Sequence, residues 1–330
     1  MSASKPTFGP DVLRIDAAEA ADRIARWIAE QVLGRLRRRG AVVALSGGVD
    51  SSVVAALCAR ALGPHRVLAL LMPERESDPE SLRLAELVAS SLGIRTVTED
   101  ITPILDAAGC YQRRDDAIRQ VVPEYGPGFK SKLVLPSSAT GQLPLFYLVV
   151  ESPSGVQKRV RLPLDAYLGI VAATSMKQRT RKQMEYYHAD RLHYAVAGTP
   201  NRLEYDQGFF VKNGDGAADI KPIAHLYKSQ VYQLAHALGI PAEITSRTPT
   251  TDTYPMPQTQ EEFYFSLPYA KIDLCLYGLN HGVSPRDVAA AIGVEPHEAE
   301  RVYEAILRKR AATRYQHEPA LLVEPVPQVG

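Results

Sequence analysis

The sequence predicts an α/β protein, a doubly wound parallel sheet with a β-hairpin insertion and a helical C-terminal part, on three observations. Short apolar runs alternate with helical patterns, as in parallel sheets covered by helices on both faces. The run Ala41-Val42-Val43-Ala44-Leu45 stops at Gly47 and Gly48 and restarts as a helix through Val53, Val54, Leu57 and Ala61. A second turn, Gly198-Thr199-Pro200-Asn201, follows an apolar run ending at Ala197. Ligands of open α/β sheets sit beyond the carboxyl ends of the strands, where both turns fall.

In chain order, residues 11–39 read as one amphipathic helix with Leu13, Ile15, Ile24, Trp27, Ile28, Val32 and Leu33 on its apolar side. Its basic end, 35–39, suits the negative pole of the helix and solvent, with a phosphate patch as the alternative. Strands are expected at 41–45, 67–71, 96–101 and 194–197. A helix over 79–92 is capped by Ser77 or Asp78 and stopped by Gly93. Residues 125–165 break the alternation: two β-rich runs flank Ser152-Pro153-Ser154-Gly155, an inserted hairpin that could be a lid, a partner contact or decoration. Near the C-terminus, Ser284 is a good N-cap before Pro285, and a helix follows from 295 to 310. The expected divisions are 1–124 and 166–280 for the α/β domain, 125–165 for the insertion and 281–330 for the C-terminal helices.

Of 330 residues, 45% are hydrophobic, enough for a full core. The 38 basic and 37 acidic side chains leave a net charge of +1, so no global field draws the chain to nucleic acid or membrane. Cys58, Cys110 and Cys275 show no CxxC spacing, which argues against zinc and disulfides and for reduced, cytoplasmic thiols. The first residues contain no apolar signal core, and no apolar run approaches the ~18 residues of a membrane span, so none is expected.

The segment LSGGVDSS, 45–52, carries the clearest chemistry. A strand that ends at two glycines before a helix points bare N–H groups and a positive helix end at a phosphate or pyrophosphate. Gly47 and Gly48 permit the sharp turn, and the hydroxyls of Ser46, Ser51 and Ser52 can donate to phosphate oxygens. Asp50 would repel phosphates unless a divalent cation lay between them, so it reads as a Mg²⁺ ligand. The plainer alternative is a Gly-Gly turn capped by Ser or Asp. The GxxxxGK[ST] lysine of other phosphate loops is missing. Glu204 is placed to share the metal with Asp50, or else is a surface glutamate at a helix start. Lys228 stands in the first turn of a helix, where its charge opposes the dipole, so contact with an anion explains it better. GDGAAD, 214–219, is either a tight turn or a source of carboxylates, Asp215 and Asp219. Arg179 and Arg181 lie two apart on a helix and cannot both face one phosphate squarely.

The 45–52 segment resembles the SGGxDS loop of the ATP-pyrophosphatase superfamily, whose members split ATP between its α- and β-phosphates. From Ala197, AGTPNRLEYDQGFFVKNGDGAADIKPIAHLYKSQVYQLAHALGIP closely resembles the NAD synthase block GTxNxxExxxGxFTKYGDGxxDIxPIxxLxKxxVxxLAxxLGIP. MKQRTRKQMEYYHAD, RTPTTD and PQTQEEFYFSLPYAKIDLCLYG are similar to further blocks of that family, so the likeness covers most of the chain except the insertion.

This resemblance implies an adenine nucleotide alpha hydrolase-like fold, a homodimer, and an ATP- and Mg²⁺-dependent ligase that adenylates deamido-NAD and transfers ammonia to it. It implies ATP contacts from Ser46, Gly47, Gly48, Asp50, Ser51, Thr199, Lys228 and Thr250, with Asp50 and Lys228 catalytic and Asp50 and Glu204 holding the metal. Arg179, Lys212 and Asp219 would face the dinucleotide, with the segment from 212 to 219 turned toward the neighbouring subunit's substrate. No nitrilase-like domain is expected, so free ammonia or a separate glutaminase supplies nitrogen. Two departures bear on the acceptor. The family's SxHKR is Ala311-Ala312-Thr313-Arg314-Tyr315 here, with Arg314 in the lysine position and His317 beyond it, and Lys182 replaces a methionine. Rival readings are amidation of another carboxylate, tRNA sulfur transfer, and a nucleotide-binding regulatory module without turnover.

Overall fold

In the computed structural model, residues 8–134, 146–248, 254–256, 264 and 267–327 are described. Pro10–Leu13 makes one 3-10 turn, and α1 spans Ala17–Ala29. Residues 11–39 are therefore not one helix. Asp16 caps α1 by accepting from the Glu19 N–H, and Glu30–Arg35 widens into a π-helical turn. The packing explains the break: Leu13 joins the core of the C-terminal helices, while Ile24, Ile28 and Val32 join the core under the sheet. One straight helix could not serve both. Arg35, Arg37 and Arg39 are exposed, as expected of a solvated helix end.

Strand β1 (Ala41–Ala44) leads through the 45–48 turn to α2 (Val49–Leu62), and β2 (Val67–Leu71) to α3 (Pro79–Ser91). Asp78 caps α3 by accepting from the Glu80 N–H, whereas the Ser77 hydroxyl accepts from Glu74. Strand β3 (Arg95–Thr98) ends earlier than the sequence suggests, because the buried Ile101 stands at the start of α4 (Thr102–Ala107). Helix α5 (Cys110–Arg119) completes this half.

The insertion holds three strands, β4 (Lys130–Val134), β5 (Tyr147–Glu151) and β6 (Gln157–Arg161), in antiparallel order β4-β5-β6. The expected hairpin is β5–β6, and β4 adds a strand to it. Leu148 faces Leu133 and Val160 in register, and this face packs with Ile118 of α5. From there α6 (Leu164–Leu192) runs about 43 Å to a left-handed turn at His193. It also supplies Ala166 and Ile170 to the insertion's core.

Strand β7 (Ala195–Ala197) then closes the parallel sheet in the order β3-β2-β1-β7. Helices α7 (Arg202–Gln207), α8 (Lys228–Ala237) and α9 (Ala242–Thr245) follow. Helices α1, α2 and α8 cover one sheet face and α4–α6 the other, which makes the sheet doubly wound. The C-terminal part comprises α10 (Tyr269–Asn280), α11 (Pro285–Ile292) and α12 (Pro296–His317), with Ser284 capping α11. Among the described residues no helix is long and apolar enough to cross a membrane.

A buried ion cluster ties α6 to the end of β2. Lys177, 1% exposed, donates to Glu74 at 2.8 Å and Glu76 at 2.7 Å, Tyr111 donates to Glu74, and Arg114 pairs with Glu76. Removing one partner of such a pair leaves an uncompensated buried charge, which costs about 3–5 kcal/mol. Lys177→Met is therefore expected to lower unfolding free energy by about 3 kcal/mol in urea titrations. A loss below about 1 kcal/mol would show that the cluster does not hold α6 in place.

Candidate active site

Four segments meet at the carboxyl ends of β1 and β7. The 45–48 turn is held by its own serines: Ser51 Oγ accepts from the Ser46 N–H, and the Ser51 and Ser52 hydroxyls donate to the Gly48 carbonyl at 3.0 and 2.8 Å. Ser52 is fully buried and outside the cavity, so its hydroxyl holds the turn rather than facing a phosphate. Gly47 also lies outside the cavity. It has φ +74°, and a Cβ there would sit 2.5 Å from the Ser81 carbonyl oxygen, so its part is turn geometry. Gly48, the N-cap of α2, gives the helix no side-chain cap, leaving the N-terminal turn to an anion.

Asp50, in that first turn, joins three elements. One carboxylate oxygen accepts from Asn201 Nδ2 at 3.1 Å, and the other pairs with Lys228 Nζ. Asn201 is fully buried and caps α7, accepting from Leu203 and Glu204. Glu204 answers by accepting from the Asn201 N–H at 3.1 Å, a capping box. Glu204 is thus both a helix-start residue and a cavity residue, so the two readings of it are compatible. Burial, with the Asp50 carboxylate adding to it, pushes its pKa up to about 8.

Lys228 begins α8 and is 1% exposed. Burial works against its charge, but Asp50 and Glu204 outweigh that and hold its pKa above the ordinary value. The Tyr269 ring lies 5.3 Å from its Nζ, and one turn along α10 the fully buried Asp273 accepts from the Ser229 N–H at 2.8 Å. Asp273 therefore supplies, from another helix, the anion that the N-terminus of α8 lacks in its own sequence.

The cavity these groups open onto has a volume of about 790 Å³. Ser46, Gly48, Asp50, Ser51, Thr199, Glu204 and Lys228 line it, and so do Arg179, Arg181 and Lys212. Arg181 donates to the Met72 carbonyl, Arg179 to that of Lys212, and the Lys212 ammonium to those of Tyr315 and Glu318. Asp219 is not among the lining residues; its carboxylate accepts from the Val196 N–H at 2.7 Å and from the Tyr186 hydroxyl. The 214–219 turn is braced by Asp215, which accepts from the Val211 N–H, and Gly216 leaves no room for a Cβ beside Phe210. Thr250 lies outside the described residues.

The altered tail does not put Arg314 in the cavity. Its side chain is 83% exposed beside Glu318, whereas Tyr315 and Gln316 line the wall. His317 packs edge-on against Tyr205 and Phe210. Lys182, in the methionine position, pairs with Glu185 at 2.6 Å in the cavity wall. Sequence reasoning assigned no role to Asn201, Asp273 or Glu185. The Asn-x-x-Glu spacing was the available signal for Asn201, and Asp273 and Glu185 act through distant or newly charged partners that no local pattern reveals.

Among the described residues no cluster of three His, Cys, Asp or Glu side chains could hold a metal. Asp50 and Glu204 do bring two hard oxygen donors together, and their mutual repulsion is what a divalent cation relieves. This donor set fits a hard divalent cation such as Mg²⁺, which Asp50 and Glu204 would hold.

A glycine-rich turn that opens a helix at a strand end, met by a buried lysine from a neighbouring helix, is an arrangement that suits a nucleotide-using α/β enzyme. The NAD synthase family model matches residues 20–123 and 164–316, skipping the inserted sheet, and the chain belongs to that family. It is 60% identical to the NH(3)-dependent NAD(+) synthetase of Rhizobium meliloti (strain 1021), over 98% of this chain and 96% of that one. It is 37% identical to the protein of that name from Thermotoga maritima, over 80% of this chain and 86% of that one. In fold it is similar to an NMN synthetase from Francisella tularensis, with TM-score 0.66 and 22% identity over 94% of this chain and 99% of that one. An NH3-dependent NAD synthetase from Campylobacter jejuni gives TM-score 0.61 and 22% identity over 94% and 100%.

The Glu204 shift has a consequence for stability. Its folded pKa, about 8, lies above the ordinary 4.5, so the native chain keeps a proton that the unfolded chain releases between those values. This contribution is fully present below pH ~4.5 and is lost as pH rises to about 8. Glu204→Gln, which cannot ionise, is expected to flatten the decline in urea-measured stability across that window. A decline as steep as that of the parent chain would contradict the assignment.

Proposed function

We propose that this ligase forms NAD from deamido-NAD, ATP and ammonia, releasing AMP and pyrophosphate. The observation that carries the reading is the meeting of Asp50, Glu204 and Lys228 at the strand ends, in a chain 60% identical to a protein named for this activity. The nicotinate carboxylate attacks the α-phosphorus of ATP, pyrophosphate departs toward Ser46, Gly48 and Ser51, and ammonia then attacks the acyl-adenylate. Lys228 and the loop N–H groups stabilise charge on the departing pyrophosphate, electrostatic catalysis that needs no protein nucleophile. Asp50 and Glu204 would hold Mg²⁺, which supplies further positive charge to the phosphates when bound. Thr199 and Thr250 belong to the ATP site, and Arg179 and Lys212 to the dinucleotide site.

On this reading the protein is a cytoplasmic homodimer fed by free ammonia or a separate glutaminase, and its ATP-pyrophosphatase domain comprises 1–124 and 166–280. Amidation of a different carboxylate is the second reading, supported by Tyr315 and Gln316 in the cavity and by the tail that lacks the His-Lys pair.

With deamido-NAD, ammonium and Mg-ATP, the purified protein is expected to release NAD, AMP and pyrophosphate in equal amounts. Asp50→Ala should lower that rate by at least about 100-fold, a loss on the scale of one electrostatic contact or more, with an unchanged circular dichroism spectrum. AMP formation with another acid and none with deamido-NAD would overturn the substrate assignment.

A further inference from the structure

Leu133 is the one cavity-lining residue, among those described, that comes from the inserted sheet. The family model passes over residues 124–163, so Leu133 is an addition to a site whose phosphate loop, Thr199 and Lys228 all lie in matched segments. It is 2% exposed and fixed by the packing of β4 and β5 over α5 and α6.

Its neighbours make one end of the cavity apolar. Tyr167 and Val171 of α6 and the buried Tyr254 line the cavity and belong to the same cluster as Leu133. Tyr167 is stacked on Phe146 with ring centroids 3.5 Å apart, and Tyr254 is hydrogen-bonded to Thr174. Both rings are therefore held in orientation. The backbone supports the same wall, since Met256 donates its N–H to the Ser131 carbonyl.

The position of this wall follows from α6, which lines the cavity from Tyr167 to Glu185, about 27 Å of helix. Arg181 touches Met72 just past the end of β2, which marks the sheet edge, and Tyr167 lies about 21 Å farther out along the helix. The sheet-edge end is charged, through Asp50, Lys228, Arg181 and the Lys182–Glu185 pair, and suits phosphates. The outer end offers rigid apolar and aromatic surface, which suits a planar ring. The volume, about 790 Å³, lies high in the ~300–1,000 Å³ range of single-ligand pockets.

We propose that the inserted sheet forms the apolar wall of the acceptor subsite and that Leu133 is a specificity-determining residue, backing the partly exposed Tyr167 and Val171 that meet a heteroaromatic ring of the dinucleotide. The proposal rests on the function proposed above and deepens it. The insertion is then part of the active site, neither a detached lid nor decoration.

Steady-state kinetics of Leu133→Ala test this, with KM measured separately for deamido-NAD and for ATP. The KM for deamido-NAD is expected to rise about 10-fold, while the KM for ATP and kcat change less than about 2-fold. The volume-conserving Leu133→Met should restore the parent KM. Because Leu133 also belongs to a core, Val171→Ala, on the partly buried α6 side of the wall, provides the same readout with less risk to folding. Equal shifts in both KM values, or no shift in either, in variants that melt as the parent does would overturn the proposal. A parent protein that makes no NAD from deamido-NAD would instead sink the function reading, and the wall would be tested with the acid that does turn over.

Discussion

Lys228 is placed where a lysine is least comfortable, at the positive end of a helix and almost wholly out of water. Its pairing with Asp50 makes that position tenable. Asp50 in turn stands in the first turn of α2, so the pair draws the beginnings of two helices to one point at the sheet edge. Asn201 binds the same carboxylate from the cap of α7, and its partner Glu204 completes the group. The Lys228 charge is tolerated because Asp50 and Glu204 are present, whereas Asp50 and burial work against charge on Glu204. On the function proposed above, a triphosphate bound at this point would replace Asp50 as the anion Lys228 faces, and Asp50 and Glu204 would hold Mg²⁺.

Support for that point comes from elements far away in sequence. Asp273, on α10, neutralises the start of α8 from behind, which links the C-terminal helices to the Lys228 end of the cavity. Lys177 joins α6 to the segment after β2, and Lys212 joins the 211–216 turn to the end of α12. Buried charge is a poor source of net stability but fixes geometry well, because any other arrangement leaves a charge unpaired. The cavity is walled largely by such fixed groups at the sheet edge and by apolar packing at the outer end.

Much of this was legible in the sequence, for reasons that differ by element. β1, β2 and α3 lie close to where their apolar runs and caps put them, since buried parallel strands read as continuous hydrophobic stretches. The 11–39 helix failed because its apolar residues divide between two cores, which periodicity alone does not distinguish. Strand β4 was missed because Lys130 and Lys132 hide its alternation; only Ser131 and Leu133 face inward and are buried. In the site, the loop, Glu204 and Lys228 were readable from type and spacing, and the structure brings them together. Asp219 and Gly47 were assigned to ligands on resemblance, yet they stand at a strand edge and inside a turn. Resemblance transmits a residue's identity more faithfully than the surroundings that decide its work.

The central claim is that the Asp50–Lys228 pair marks the seat of the triphosphate. A crystal structure of the protein with Mg²⁺ and a non-hydrolysable ATP analogue tests it most directly. The account predicts the terminal phosphates on Ser46, Gly48 and Ser51, with Lys228 Nζ within about 3 Å of a phosphate oxygen and density for a metal ion between Asp50 and Glu204. A triphosphate bound elsewhere, with Lys228 still paired to Asp50 and the loop empty, would contradict it.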